Sequence, residues 1–191
     1  ASLGWLAGEA KASHYPKYPR RIKLLNTYAT LKLYAYKNRK ELKSQISNLV
    51  RPSESFLKLL AEMQILKPVV VHVRLGDYLG LQHTYGHLQD SYFLGAVDKL
   101  RTSNPDLVIW VFSDSPEALP DELVGGLGAS RIIGPFDLDS PLENLVLMSK
   151  GSAIIASNSS FSWWACFLSD DSSENVAPII ESARVNNFDI N

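Results

Sequence analysis

The spacing of apolar positions along this 191-residue chain changes near residue 68. Before that point Leu24, Leu25, Tyr28, Leu31, Tyr34 and Ala35 fall at three- and four-residue steps, which predicts an amphipathic helix over 22–46 with a basic outer face. Arg51-Pro52 stops it, and Ser53 is placed to cap a second helix ending near Ile65. Beyond residue 68, short continuous apolar runs alternate with helical patterns. Residues 69–74, 107–112, 131–133, 153–156 and 176–180 read as strands. The first two are apolar nearly throughout, as strands buried on both faces are. Helices are expected from Asp90, from Ser115-Pro116-Glu117, from Pro141 to about Lys150 and from Ser159 to Leu168. Ser140-Pro141-Leu142-Glu143 has the form of a capping box with proline at the first helical position. Strands alternating with helices predict right-handed βαβ units, hence an α/β fold with a parallel, Rossmann-like sheet and flanking helices. The expected division is a basic helical lead-in over 1–67 and a Rossmann-like domain over 68–191.

Composition adds a charge asymmetry. Residues 1–68 hold 13 Lys/Arg against four Glu, whereas residues 69–191 hold six Lys/Arg against 16 Asp/Glu. A basic front suits an anionic membrane surface, an acidic partner or nucleic acid, and it suits equally a solvated helix face lying against the acidic half. The acidity of the second half argues against a nucleic-acid groove. No apolar run approaches a membrane span, and no signal-peptide pattern opens the chain. The single cysteine, Cys166, excludes an internal disulfide framework and a multi-cysteine metal site.

In open α/β sheets, ligands bind beyond the carboxyl ends of the strands. The first strand ends in His72, Arg74 and Asp77, the second in Ser113 and Asp114, and the fourth in Ser157-Asn158-Ser159-Ser160. Arginine offers a planar, permanently charged fork for phosphate, and a Ser-rich turn opening a helix presents free amides to an anion. Each has an ordinary structural reading too: an Arg–Asp pair at a strand exit, a turn aspartate, a plain N-cap. Together they predict a nucleotide-diphosphate pocket. No Gly-rich dinucleotide fingerprint or Walker loop is present. Asp137-Leu138-Asp139 reads as a surface turn rather than a cation site, and Trp163-Trp164 as core packing.

These motifs, His-x-Arg-x-Gly-Asp-Tyr at 72–78, Phe-Ser-Asp at 112–114, Leu-Met-Ser at 147–149 and Asn-Ser-Ser-Phe-Ser-Trp-Trp at 158–164, resemble those of the α-1,2-fucosyltransferases, inverting enzymes of GT-B type. The resemblance covers about residues 69–180. It implies the donor-binding half of a GT-B fold, GDP-fucose as donor, a galactose-containing glycan acceptor, and inverting transfer to a sugar hydroxyl without cofactor or metal. By motif, Arg74 would grip the diphosphate with His72 beside it. Asp114 would lie by the nucleotide, and Ser159, Ser160 and Phe161 would wrap phosphates and base. Asp77 would position Arg74 or the loop rather than take the proton, since pairing with Arg74 makes a carboxylate a poor base.

Three features depart from the family. Leu75 stands where a second arginine is usual, Asn144 stands where an acid usually reads guanine, and the Gly-rich opening segment is missing. A truncated or degenerate sugar-nucleotide-binding module without turnover is therefore the alternative. The compartment follows the source: cytoplasmic or peripheral to the membrane if bacterial, with the basic front as the membrane contact, and the Golgi lumen if eukaryotic.

Overall fold

A computed structural model describes residues 38–76, 88–171 and 173–178. The order of elements is α1 (Arg39–Leu49), α2 (Glu54–Leu66), β1 (Val69–Val73), α3 (Asp90–Ser103), β2 (Ile109–Ser113), α4 (Asp121–Leu127), β3 (Ala129–Ile133), α5 (Pro141–Met148), β4 (Ala153–Ile155), α6 (Ser160–Leu168) and β5 (Glu174–Val176). The five strands form one sheet in the order β3-β2-β1-β4-β5, and every neighbouring pair is parallel.

Strand alternation sorts the core into two layers. Val69, Val71 and Val73 of β1 and Ile109 and Val111 of β2 meet α3 and α4 through Phe93, Val97, Leu123 and Leu127. Val70, Trp110, Phe112 and Ile154 meet α2, α5 and α6 on the opposite face, through Met63, Leu147 and Ala165 among others. The chain runs outward from β1 to β3 with crossover helices on one face. It then returns past β1 to β4 with crossover helices on the other. Right-handed βαβ connections require that switch, which makes the carboxyl ends of β1 and β4 the switch point of the sheet.

The second helix belongs with the sheet. Phe56, Leu59 and Met63 are buried against it, inside one compact unit of Lys43–Ser182. Ser53 caps it by accepting from the Phe56 amide at 3.1 Å. The rest of the expected 22–46 helix lies outside the described residues; α1 has no buried residue, but Lys43 reaches the carbonyl of Ser169 at 2.6 Å and Asp170 at 3.5 Å. No helix among the described residues is long and apolar enough to cross a membrane.

Some expected elements shift. The helix expected from Ser115 is a three-residue 3-10 turn, Pro116–Ala118. Pro120 disfavours a helical Leu119 and has no amide to donate, so the α-helix begins only at Asp121, with Pro120 as its N-cap. The last strand pairs Glu174 to Val176 with Ala153 to Ile155, earlier than expected; the part of that expectation from residue 179 onward lies outside the described residues. Pro178 has no N–H for the ladder, consistent with an end before it. Trp163 and Trp164 are half-buried rather than in the core. They form an aromatic group of their own with Phe167, the Trp163 ring stacked on Phe167 at 5.3 Å and Trp164 edge-on to it.

Candidate functional site

A cavity of about 270 Å³ opens where β1, β2 and β3 end. Parity along β1 puts His72 and Arg74 on the side of Val70, the face that α6 covers. The β1–β2 register pairs His72 with Phe112 and Val73 with Ser113, so one step further Arg74 lies beside Asp114. The Arg74 Nη1 to Asp114 Oδ2 distance is 3.1 Å. Asp114 Oδ1 accepts from the Leu75 amide at 2.9 Å, so both carboxylate oxygens are engaged. Gly76 is required for this arrangement by space: a Cβ there would overlap Asp114 Oδ2.

His72 is buried, at 4% exposure. Its Nδ1 lies 2.8 Å from Ser157 Oγ and 2.5 Å from Ser162 Oγ, and the two hydroxyls are 2.9 Å apart. Burial pushes its pKa down to about 4; Asp114 opposes the shift and Arg74 adds to it. The imidazole is therefore neutral near pH 7. The Phe161 ring lies 5.9 Å from it.

Of the residues singled out in the sequence, His72, Arg74, Ser113, Asp114, Asn144 and Phe161 all line this one cavity. Ser159 and Ser160 do not line it. Ser159 is the N-cap of α6, accepting from the Phe161 amide at 3.2 Å, and Ser160 is exposed. Asp77, expected to position Arg74 or the loop, lies outside the described residues.

The sequence reading missed the third wall. Ile133, Gly134 and Pro135 at the end of β3, with Pro141 and Met148 of α5, complete the lining. The signal was available, since β3 is a third parallel strand and its exit had to join the other two. Asp137 closes the turn after β3 by accepting from the Gly134 amide at 2.6 Å, and Leu138 is buried in the core. The Asp-x-Asp segment thus shapes the wall.

Glu143 secures α5. It is fully buried, and its carboxylate accepts from the Ser53 amide at 2.6 Å, the Ser53 hydroxyl at 3.2 Å and the Asp139 amide at 2.9 Å. Ser140 Oγ accepts from the Glu143 amide at 3.2 Å, which is one half of the expected capping box. The Glu143 side chain makes its bonds to Asp139 and Ser53, tying the wall of the cavity to the start of α2.

Comparison with known proteins follows the same stretch of chain. The sequence model of Glycosyl transferase family 11 matches residues 9–188. An alpha-1,2-colitosyltransferase of Escherichia coli is 29% identical over 127 residues, 63% of this chain and 44% of that protein. The O-antigen biosynthesis glycosyltransferase WbnK of Escherichia coli is 26% identical over 137 residues, 66% of this chain and 45% of that protein. The chain thus spans less than half the length of these curated relatives. Among solved structures, that of POFUT1 in complex with GDP aligns with 81% of this chain and 51% of that chain, with a TM-score of 0.44 and 14% identity.

Proposed function

The chain belongs to glycosyl transferase family 11, and we propose that its cavity holds the donor of a sugar transfer, a nucleoside-diphosphate sugar. The observation that carries this reading is Arg74, held by Asp114 at 3.1 Å on the wall of the cavity at the strand ends. A fixed guanidinium suits a diphosphate, and the apolar side chains of Phe161, Ile133 and Met148 suit a nucleobase. Asn144 supplies one carbonyl acceptor and an amide donor for the base edge. We take the donor to be GDP-fucose and the transfer to be inverting, onto a galactoside hydroxyl in α-1,2 linkage; the names of the relatives make a colitosyl donor the neighbouring choice.

In such a transfer negative charge builds on the leaving diphosphate as the sugar takes on oxocarbenium character. Arg74 stabilises that charge in place, with no reorganisation at the moment of reaction. Asp114 has both oxygens engaged and acts as the group that orients Arg74. The proton of the acceptor hydroxyl goes to another base. In this reading the basic segment of residues 1–67 sets the protein against anionic membrane; co-sedimentation with anionic vesicles that survives high salt would sink that reading.

Incubating the chain with GDP-fucose and lactose, followed by mass spectrometry and NMR of the product, tests the activity. A fucosylated disaccharide with the α-1,2 linkage is the expected result. A second reading, sugar-nucleotide binding without turnover, rests on Leu75 and Asn144, which stand where the family usually has a second arginine and an acid. Saturable donor binding with no product would select it over the first.

A further inference from the structure

The three polar atoms around Nδ1 of His72 raise a question of proton placement that the geometry answers. Ser157 and Ser162 are 6% and 0% exposed, and neither hydroxyl has a partner other than His72 and each other among the described residues. Each hydroxyl has one proton to place, and Nδ1 of a neutral imidazole has either one proton or one lone pair. If Nδ1 carried the proton, it would donate to one serine and that serine to the other. The last hydroxyl proton would then be buried with nothing to receive it, at a cost of the order of 1–3 kcal/mol. If Nδ1 is bare, Ser162 donates to it across the shortest distance, 2.5 Å. Ser157 then donates to Ser162 across 2.9 Å, and every proton has an acceptor.

We propose that Ser157 and Ser162 hold His72 in the tautomer protonated on Nε2, making it a fixed hydrogen-bond donor to an anionic oxygen bound in the cavity. Where Nε2 points follows by elimination. Among the described residues Arg131 Nε is the sole buried side-chain polar atom without a partner. None of the described residues meets Nε2 either, so among them Nε2 reaches open space, and the space beside His72 is the cavity. Burial keeps the ring neutral near pH 7, so the choice is between two neutral tautomers. The identity of the oxygen, a diphosphate oxygen of the donor, rests on the reading given under the proposed function. One consequence is chemical: with its lone pair occupied by Ser162, His72 does not take the proton of an acceptor hydroxyl. His72 and Arg74, two residues apart on one face of β1, act as paired donors. Ser157 and Ser162 are positioning residues, since they act through His72.

Long-range 1H–15N correlation spectra of the chain labelled with [15N]histidine at neutral pH read the tautomer directly, without any ligand. The His72 signals are identified among the four histidines by their loss in His72→Asn. A bare Nδ1 with a protonated Nε2 is expected; a protonated Nδ1 overturns the proposal. Adding inorganic pyrophosphate should then shift Nε2 while leaving Nδ1 nearly in place, and pyrophosphate binding that leaves Nε2 unmoved overturns it. Absence of pyrophosphate binding overturns the oxyanion role and counts against the donor-site reading, while the ligand-free spectrum still decides the tautomer. Ser162→Ala alone leaves Ser157 2.8 Å from Nδ1 to donate in its place and should keep the tautomer. Ser157→Ala/Ser162→Ala, which removes both hydroxyls, should give mixed tautomers and weaken pyrophosphate binding about tenfold, the loss of one hydrogen bond. Purely structural serines would change stability in the double variant without moving the tautomer, and that outcome too overturns the proposal.

Discussion

Arg74 and His72 occupy neighbouring positions on one strand face and depend on charge in opposite ways. Arg74 works as a cation at the rim of the cavity, with a third of its side chain exposed. Arg74→Ala should therefore lower transfer by roughly 10²–10³-fold, the typical cost of removing a preorganised donor from a developing anion, while barely changing the urea midpoint. Arg74→Lys should recover only part of that rate, because a point charge cannot reproduce a planar fork. Equal rates for the lysine variant and the native chain would contradict this account. His72 works as a neutral group. Its pKa falls from 6.5 to about 4 on folding, so between those values the unfolded chain binds the proton more readily. Its contribution to stability is intact above pH 6.5 and is lost as pH falls toward 4, by on the order of 3 kcal/mol. Asp114, just past β2, and Arg74, just past β1, are the charged groups acting on it, while Ser157 and Ser162 face it uncharged. Urea unfolding at several pH values should show a steeper acid loss for the native chain than for His72→Asn, and equal slopes would rule the effect out. Residue types and strand-end positions were enough to pick out His72, Arg74 and Asp114 in the sequence. The partners of His72 were not legible, because Ser157 and Ser162 reach it across 85 and 90 residues and no local pattern records that approach.

At the scale of elements, helix α5 and the glycine after β1 decide whether the cavity has walls. Glu143 accepts three hydrogen bonds from Ser53 and Asp139 while fully buried. Glu143→Ala removes all three and leaves the part-buried Ser53 and Asp139 donors without their acceptor, so it should cost about 1–3 kcal/mol in urea unfolding. Because Pro141 and Asn144 of the same helix line the cavity, donor binding should weaken in parallel. A change below about 0.5 kcal/mol, the range of an ordinary surface substitution, would dismiss the clamp. Gly76→Ala should displace Asp114 and loosen Arg74, raising the dissociation constant for a diphosphate with little loss of stability; unchanged affinity would show that Asp114 can yield. Most elements were legible from period alone, since β1 and β2 are apolar but for His72 and Ser113 and Ser53 and Ser140 are true caps. The exceptions have identifiable causes. Pro120 cut short the helix expected from Ser115, and Ser53 and Asp139 rather than Ser140 took the Glu143 carboxylate. Trp163 and Trp164 are adjacent residues, which a helix points in different directions, and contacts with Phe167, stacked for Trp163 and edge-on for Trp164, gather them outside the core.

At the scale of the molecule, the order β3-β2-β1-β4-β5 explains why motifs separated along the chain meet at one place. Arg74, Asp114 and Phe161 leave three different elements and line a single cavity, which strand-end reasoning anticipated. The contribution of β3 was not anticipated because its exit, Gly134-Pro135, holds no charged or hydroxyl side chain to mark it as chemistry. The central claim is that this cavity binds a nucleoside diphosphate through Arg74. The most direct test is isothermal titration of GDP and GDP-fucose into the chain, with ADP as control and Arg74→Ala as the variant. Micromolar binding of both guanine ligands that weakens at least tenfold in Arg74→Ala is the predicted result. Absence of binding by either ligand, or binding that Arg74→Ala leaves unchanged, would contradict it.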